Sequence, residues 1–300
     1  MSGVPASGAQ TTRVGARAAA GLVWRWRDRA VEVGDRALVM GVVNVTPDSF
    51  SDGGRSLESG AAIAHARRLV DEGADLIDIG AESSRPGAEG ISADQELSRL
   101  VPVLEGLSDL TVPVSVDTTK PEVMRAAIGE GATMINDIGA LRSPGALEAV
   151  SASDAGVCLM HMQGEPRTMQ REPRYGDVVA EVRAFLAGRV AAAEAGGIAR
   201  ERIVIDPGFG FGKTVEHNFE LLRNLGRFAE IGVPVMAGWS RKSTLGAVTG
   251  RPAGERLAAS IAAALLAVQH GARILRVHDV AATRDALAVL AAADTDRGKR

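Results

Sequence analysis

Asp117, Asn136, Asp206 and Lys242 lie far apart in the chain, and each follows a short run rich in β-forming residues. A fold that gathers strand ends would set these two carboxylates, the amide and the ammonium face to face. Charges in a partly desolvated cavity need partners, because an unpaired one is costly. A flat heterocycle carrying amino, ring N–H and carbonyl groups supplies them: carboxylates accept from its N–H groups, while Asn and Lys reach its acceptors. An internal salt bridge between Lys242 and an aspartate is the competing reading.

Asn44, Ser84, Arg85, Arg276 and His278 form a second, more cationic group. Arginine offers a fork for phosphate oxygens, and histidine gives a hydrogen bond or a proton to a departing oxyanion. This pattern reads as an anion site for phosphate or pyrophosphate. Asn44 would ligate a magnesium ion shared with those oxygens, since magnesium keeps its waters and takes few protein ligands. The alternative for Arg276 is a pair with nearby Asp279. DPGFGFGKT at 206–214 is no nucleotide loop, because Pro207 occupies the place where a P-loop needs its first glycine. It reads as a glycine-flexed loop presenting Phe211 and Lys213. His65, His217 and His270 fall on predicted helices and read as solvated or core residues.

The elements that must position these groups repeat along the chain. Short β-rich runs recur at 38–45, 76–79, 114–116, 134–136, 157–160, 203–205, 235–237 and 274–277. Helical spacing fills the intervals at 59–72, 93–107, 121–130, 144–154, 178–195, 215–225, 253–269 and 281–291. Eight strands alternating with eight helices is the count of an α/β TIM (β/α)₈ barrel, and strict alternation argues for a parallel sheet. A doubly wound sheet is the rival, but no glycine-rich fingerprint follows the first long strand. In a barrel the strand ends meet at one mouth, where active sites of this fold lie. After the first long strand, Thr46 to Asp52 read as a long arm hinged at Gly53 and Gly54. Residues 22–33 alternate apolar with charged and turn at Gly34-Asp35, which suggests a hairpin capping the barrel.

Length and composition fit one domain. Three hundred residues bury a single large core; 1–21 read as a disordered tail, 22–292 as the barrel and 293–300 as a C-terminal tail. The formal charge of −3 comes without a basic run, so neither nucleic acid nor a membrane surface is an expected partner. No apolar run is long enough to span a bilayer. Cys158 has no partner in the chain and reads as a small core hydrophobe in a reducing, cytoplasmic setting.

Eight blocks then carry a resemblance: NVTPDSFSDGG (44–54), ESSRPGA (82–88), SVDTTKPEV (115–123), INDI (135–138), LMHMQG (159–164), DPGFGFGK (206–213), SRKS (240–243) and RVHDV (276–280). Together, in this order, they resemble dihydropteroate synthase over about 38–291. The resemblance implies a folate-synthesis transferase, a sulfonamide target. It joins 6-hydroxymethyl-7,8-dihydropterin pyrophosphate to 4-aminobenzoate and releases pyrophosphate. It implies pterin contacts at Asp117, Asn136, Ile138, Met160, Asp206 and Lys242. Pyrophosphate would meet Asn44, Ser84, Arg85, Arg276 and His278, with magnesium on Asn44. Aminobenzoate would meet Phe50, Ser84, Pro86, Phe211, Ser240 and Lys242. Asp117, Lys242, Arg276 and His278 would carry the catalysis, and barrel helices would pair the chain as a homodimer. Ser84 stands where many relatives have Thr, keeping the hydroxyl, and Ala81 replaces a common Gly. Two rivals are a methyltetrahydrofolate-binding methyltransferase barrel, which has no use for Arg276 or His278, and a non-catalytic pterin-binding paralogue.

Overall fold

A computed structural model of the chain describes residues 22–27, 29–34, 36–45, 55–83 and 90–294. The expected 1–21 tail, the arm from Thr46 to Gly54 with Phe50, and Ser84, Arg85 and Pro86 lie outside the described residues.

Eight parallel strands form the predicted barrel. They are β3 (Leu38–Asn44), β4 (Leu76–Gly80), β5 (Val114–Asp117), β6 (Met134–Asp137), β7 (Gly156–Met160), β8 (Ile203–Asp206), β9 (Met236–Ala237) and β10 (Ile274–Val277). They pair in the order β8-β7-β6-β5-β4-β3-β10-β9, and a parallel bridge between Ile205 and Val235 closes the ring. Helices α1 (Arg55–Asp71), α2 (Ala93–Gly106), α3 (Pro121–Gly129), α4 (Ala146–Ser151), α5 (Val178–Ala195), α6 (Val215–Arg223), α7 (Gly226–Ala229), α8 (Ser243–Thr249), α9 (Leu257–Gln269) and α10 (Val280–Asp294) occupy the intervals.

Strand alternation divides the interior in two. Val39, Val43, Ile77, Ile79, Val116 and Ile135 point outward into the layer shared with the helices. Leu38, Met40, Leu76, Met134, Cys158 and Val204 point inward and fill the barrel floor. An antiparallel hairpin, β1 (Val23–Trp26) with β2 (Arg29–Glu32), closes that floor from below. Its buried indoles, Trp24 and Trp26, pack at a 46° tilt with ring centroids 4.5 Å apart and belong to the same apolar cluster. Cys158 is buried there, as a core hydrophobe.

Local details depart from the sequence pattern. The hairpin reverses between Trp26 and Arg29, not at Gly34-Asp35, because its strands are only four residues each. The helix expected over 215–225 breaks at Asn224 into α6 and α7, and that over 253–269 opens with a 3₁₀ turn at Ala253–Glu255. An additional helix, α8, follows the SRKS block; seven residues containing Gly246 show too little periodicity to be read as a helix. The last helix runs to Asp294, past the expected barrel end at 292.

Candidate active site

The barrel register sets Asn44, Gly80, Asp117 and Asn136 in one row across β3 to β6. One alternation step deeper, Asp78 of β4 projects inward and is fully buried. Arg276 of β10 spans the barrel to reach both levels. Its Nε donates to Asp78 Oδ2 at 2.6 Å, and its Nη2 donates to Asp117 Oδ2 at 3.0 Å. Asn136 Nδ2 donates to the same Asp78 oxygen at 3.1 Å. A carboxylate paired with arginine can only accept, so the amide must turn its NH₂ to Asp78. Its Oδ1 is left buried with no partner among the described residues. Asn136 therefore has an acceptor to offer a ligand, where the sequence suggested a donor.

Among the described residues, neither competing ion pair forms. Asp279 is held by Arg241, at 2.6 and 3.2 Å, which leaves Arg276 to the interior aspartates. Lys242 sits with its ammonium 4.1 Å from the Phe211 ring centroid, a cation–π contact in place of a salt bridge. Burial pushes Lys242 down to about 8, with Asp206 pulling the other way. Burial likewise holds Asp206 above its ordinary range, against the Gly208 N–H at 2.7 Å and the Lys242 charge. Asp117 is pushed up to about 7 by burial, with Arg276 opposing and Asp78 assisting. Two carboxylates and two cations thus share one poorly solvated mouth.

His278 and Ser240 were expected to serve different ligands, yet they touch. His278 Nδ1 lies 2.9 Å from Ser240 Oγ, which also accepts from the His278 backbone N–H at 3.2 Å. Burial, then the charges of Arg241 and Arg276, lower His278 to about 4. It is a neutral ring at pH 7. Ile138, Met160, Met162, Met169 and Phe211 form a small apolar cluster of their own at the mouth. Beside them a cleft of about 480 Å³ opens, lined by Asp117, Thr118, Ile138, Arg142, Glu82 and Ser83.

Other polar residues at the strand ends hold loops. Asp137, one position from Asn136, faces the other way and accepts from the Gly139 and Leu141 N–H groups, both at 2.6 Å. Lys213 does not reach the mouth. It is buried, with Nζ 2.9 Å from the Gly208 carbonyl, 3.0 Å from that of Phe211 and 3.0 Å from His161 Nδ1. The turn curls round this ammonium, and Gly208, at φ 71°, allows it: a Cβ there would run into the His161 carbonyl oxygen. His217 caps α6 with Thr214. Asp78 does not stand out in the sequence because it lies inside a strand, LIDIG, and not at its end. The signal was a charge on the inward phase of an otherwise apolar run.

Residues 40–278 match the model of a family described as pterin binding enzymes. The barrel, its polar mouth and this match define a pterin-binding barrel enzyme. Dihydropteroate synthase of Escherichia coli strain K12 is 48% identical over 255 residues, covering 85% of this chain and 90% of its own. A Xanthomonas albilineans dihydropteroate synthase solved with 4-aminobenzoic acid is 54% identical, with a TM-score of 0.86, covering 91% of this chain and 98% of its own. A structure of that enzyme in complex with 7,8-dihydropteroate is matched at 48% identity and TM-score 0.81, covering 91% and 99%. The chain belongs to the dihydropteroate synthase family and is a transferase. Neither the methyltransferase barrel nor the non-catalytic paralogue is favoured by these relatives. Among the described residues, no helix is long and apolar enough to cross a membrane.

Proposed function

We infer that this chain condenses 6-hydroxymethyl-7,8-dihydropterin pyrophosphate with 4-aminobenzoate, giving 7,8-dihydropteroate and pyrophosphate. The carrying observation is the convergence of Asp117, Asn136, Asp206, Lys242 and Arg276 at one barrel mouth, in a chain about half identical to synthases solved with aminobenzoate and with dihydropteroate. Asp206 and the Asn136 oxygen accept from the pterin N–H groups, Lys242 donates to its carbonyl side, and Ile138 and Met160 pack on its face.

In the proposed reaction the bond from methylene carbon to diphosphate oxygen breaks, and its electron pair leaves with pyrophosphate. The aminobenzoate nitrogen lone pair forms the new C–N bond and the nitrogen then loses a proton. Asp117 and Asp206 stabilise the cationic pterin; the Arg276 edge not engaged by Asp78 and Asp117, with neutral His278 as a hydrogen-bond donor, receives the departing charge. Ser84 and Arg85 complete the anion site, and Phe50, Pro86, Phe211 and Ser240 enclose the aminobenzoate with Lys242. Asn44 offers a hard oxygen at a strand end, level with Gly80 and Asp117, which fits a magnesium ion that takes few protein ligands. When bound, that ion supplies charge neutralisation of the diphosphate oxygens.

The proposal extends to a single barrel domain, a cytoplasmic location and a homodimer. Exposed Val248, Leu257, Leu266 and Val289 on α8, α9 and α10 support pairing through barrel helices. Incubating the protein with the pterin pyrophosphate and 4-aminobenzoate tests the reaction: dihydropteroate and pyrophosphate should appear in equal amounts, and their absence would overturn the reading.

A further inference from the structure

Lys120 stands just before α3, on the loop that leaves β5 at Asp117, and the chemistry above gives it no task. Its ammonium contacts Glu82 and lies 2.6 Å from Glu96. Glu96 belongs to α2 and is fully buried, with its other oxygen unpartnered among the described residues. Glu82 follows β4, and its other oxygen accepts from the Ile91 N–H at 3.1 Å. Arg99 of α2 reinforces the same place by donating to the Ala81 carbonyl at 2.9 Å.

One carboxylate therefore draws together Glu82 and Ile91, the two ends of the connection from β4 to α2, and Lys120 holds that carboxylate in place. Gly90 passes so close that a Cβ would lie 3.0 Å from Glu82 Oε1, so a larger residue there would force the clasp to shift. Glu82 and Ser83 also border the cleft that contains Asp117 and Thr118. Lys120 thus ties the loop after β4 to the loop that begins at Asp117.

We propose that Lys120 is a positioning residue: acting through Glu82, it holds the two described ends of the β4–α2 connection, Glu82 and Ile91, together beside the cleft and so supports the binding of the diphosphate and of the aromatic amine, without touching either. The proposal rests on the reading that this loop serves those two ligands. A surface ion pair would contribute little, but this one is partly buried and has a wholly buried carboxylate as its second partner. Its loss leaves Glu96 uncompensated and lets the two loop ends separate.

The test uses the full chain with Lys120→Met, Lys120→Arg and Glu82→Ala. The last keeps the Lys120–Glu96 pair and opens only the clasp, which covers the case in which Lys120→Met does not fold. Expected results are a rise of about tenfold in KM for 4-aminobenzoate in Lys120→Met and Glu82→Ala, most of it recovered in Lys120→Arg. Calorimetric affinity for a 6-hydroxymethylpterin lacking diphosphate should stay within about twofold of the parent, and hydrogen exchange at the Ile91 amide should accelerate while α2 stays protected. Unchanged KM in Glu82→Ala, or pterin affinity that falls in step with KM, would overturn the proposal. A parent chain that makes no dihydropteroate would sink the functional reading instead, and the Ile91 exchange rate would then decide whether the clasp exists.

Discussion

Two clusters in this barrel share the same charge arithmetic. In each a single cation lies between one fully buried and one partly exposed carboxylate: Arg276 between Asp78 and Asp117, Lys120 between Glu82 and Glu96. Each leaves one buried carboxylate oxygen without a partner among the described residues, Asp78 Oδ1 and Glu96 Oε1. The difference is the shape of the cation and where it stands. A guanidinium engages two acceptors through Nε and Nη2 and still presents further N–H groups, and Arg276 presents them inside the mouth. An ammonium is a point charge, and Lys120 sits beside the mouth where its partners belong to the chain itself. The same motif is open to a ligand in one place and closed on a loop in the other.

The largest expected effect falls on the interior cluster's deepest member. Asp78→Ala should lower stability by about 3–5 kcal/mol in urea unfolding, because it removes the deeper of the two carboxylates that compensate buried Arg276, leaving only Asp117, and takes away the acceptor for Asn136. Glu82→Ala, the outer member of the other cluster, should cost far less; equal losses would break the comparison. Next comes Arg276→Ala, for which kcat/KM in dihydropteroate synthesis should fall by about 10²–10³, well beyond any Lys120 variant.

A smaller effect sharpens the electrostatics. Asp78 helps to hold Asp117 up at about 7, so Asp78→Asn should move the acid limb of the kcat/KM profile to lower pH, and an unmoved limb would show that burial alone sets it. The same group shapes stability. Its native pKa of about 7 exceeds the ordinary 3.8, so the native state holds a proton that the unfolded chain has released between those values. Stability contributed by Asp117 is complete below 3.8 and is lost as pH rises through 7; Asp117→Asn should flatten that slope in unfolding titrations. A linkage of opposite sign lies at His161, lowered to about 3 by burial and then by Lys213. Here stability is lost as pH falls from 6.5, since the unfolded chain binds the proton first, and His161→Gln should make the acid slope shallower.

The barrel was legible because most of its strands are short, rich in β-branched residues and buried on both faces, and because a polar residue stands at or just beyond nearly every strand end. Asp117, Asn136 and Arg276 were legible for the same reason, and the structure joins them through Asp78. Asp78 itself was not, since a carboxylate in mid-strand becomes meaningful only once the inward phase is known and a cation from β10 is seen to reach it. Lys213 misled: a lysine in a glycine-rich loop looks presented, and only the curl set by Gly208 turns it inward. The Glu82–Lys120–Glu96 cluster joins three elements, and no local spacing announces such a meeting. Hairpin and helix limits slipped where four- to seven-residue elements carry too few periods to read.

The indole plug beneath the barrel has an electrical consequence. Trp24 and Trp26, with Met40, Leu76, Met134 and Cys158 above them, make a dry insulating base under the charged layer. That apolar base separates Asp78 and Arg276 from bulk solvent on the floor side, so their field is focused outward, toward the mouth. The hairpin, remote from every reacting atom, thereby works like the backing of a lens.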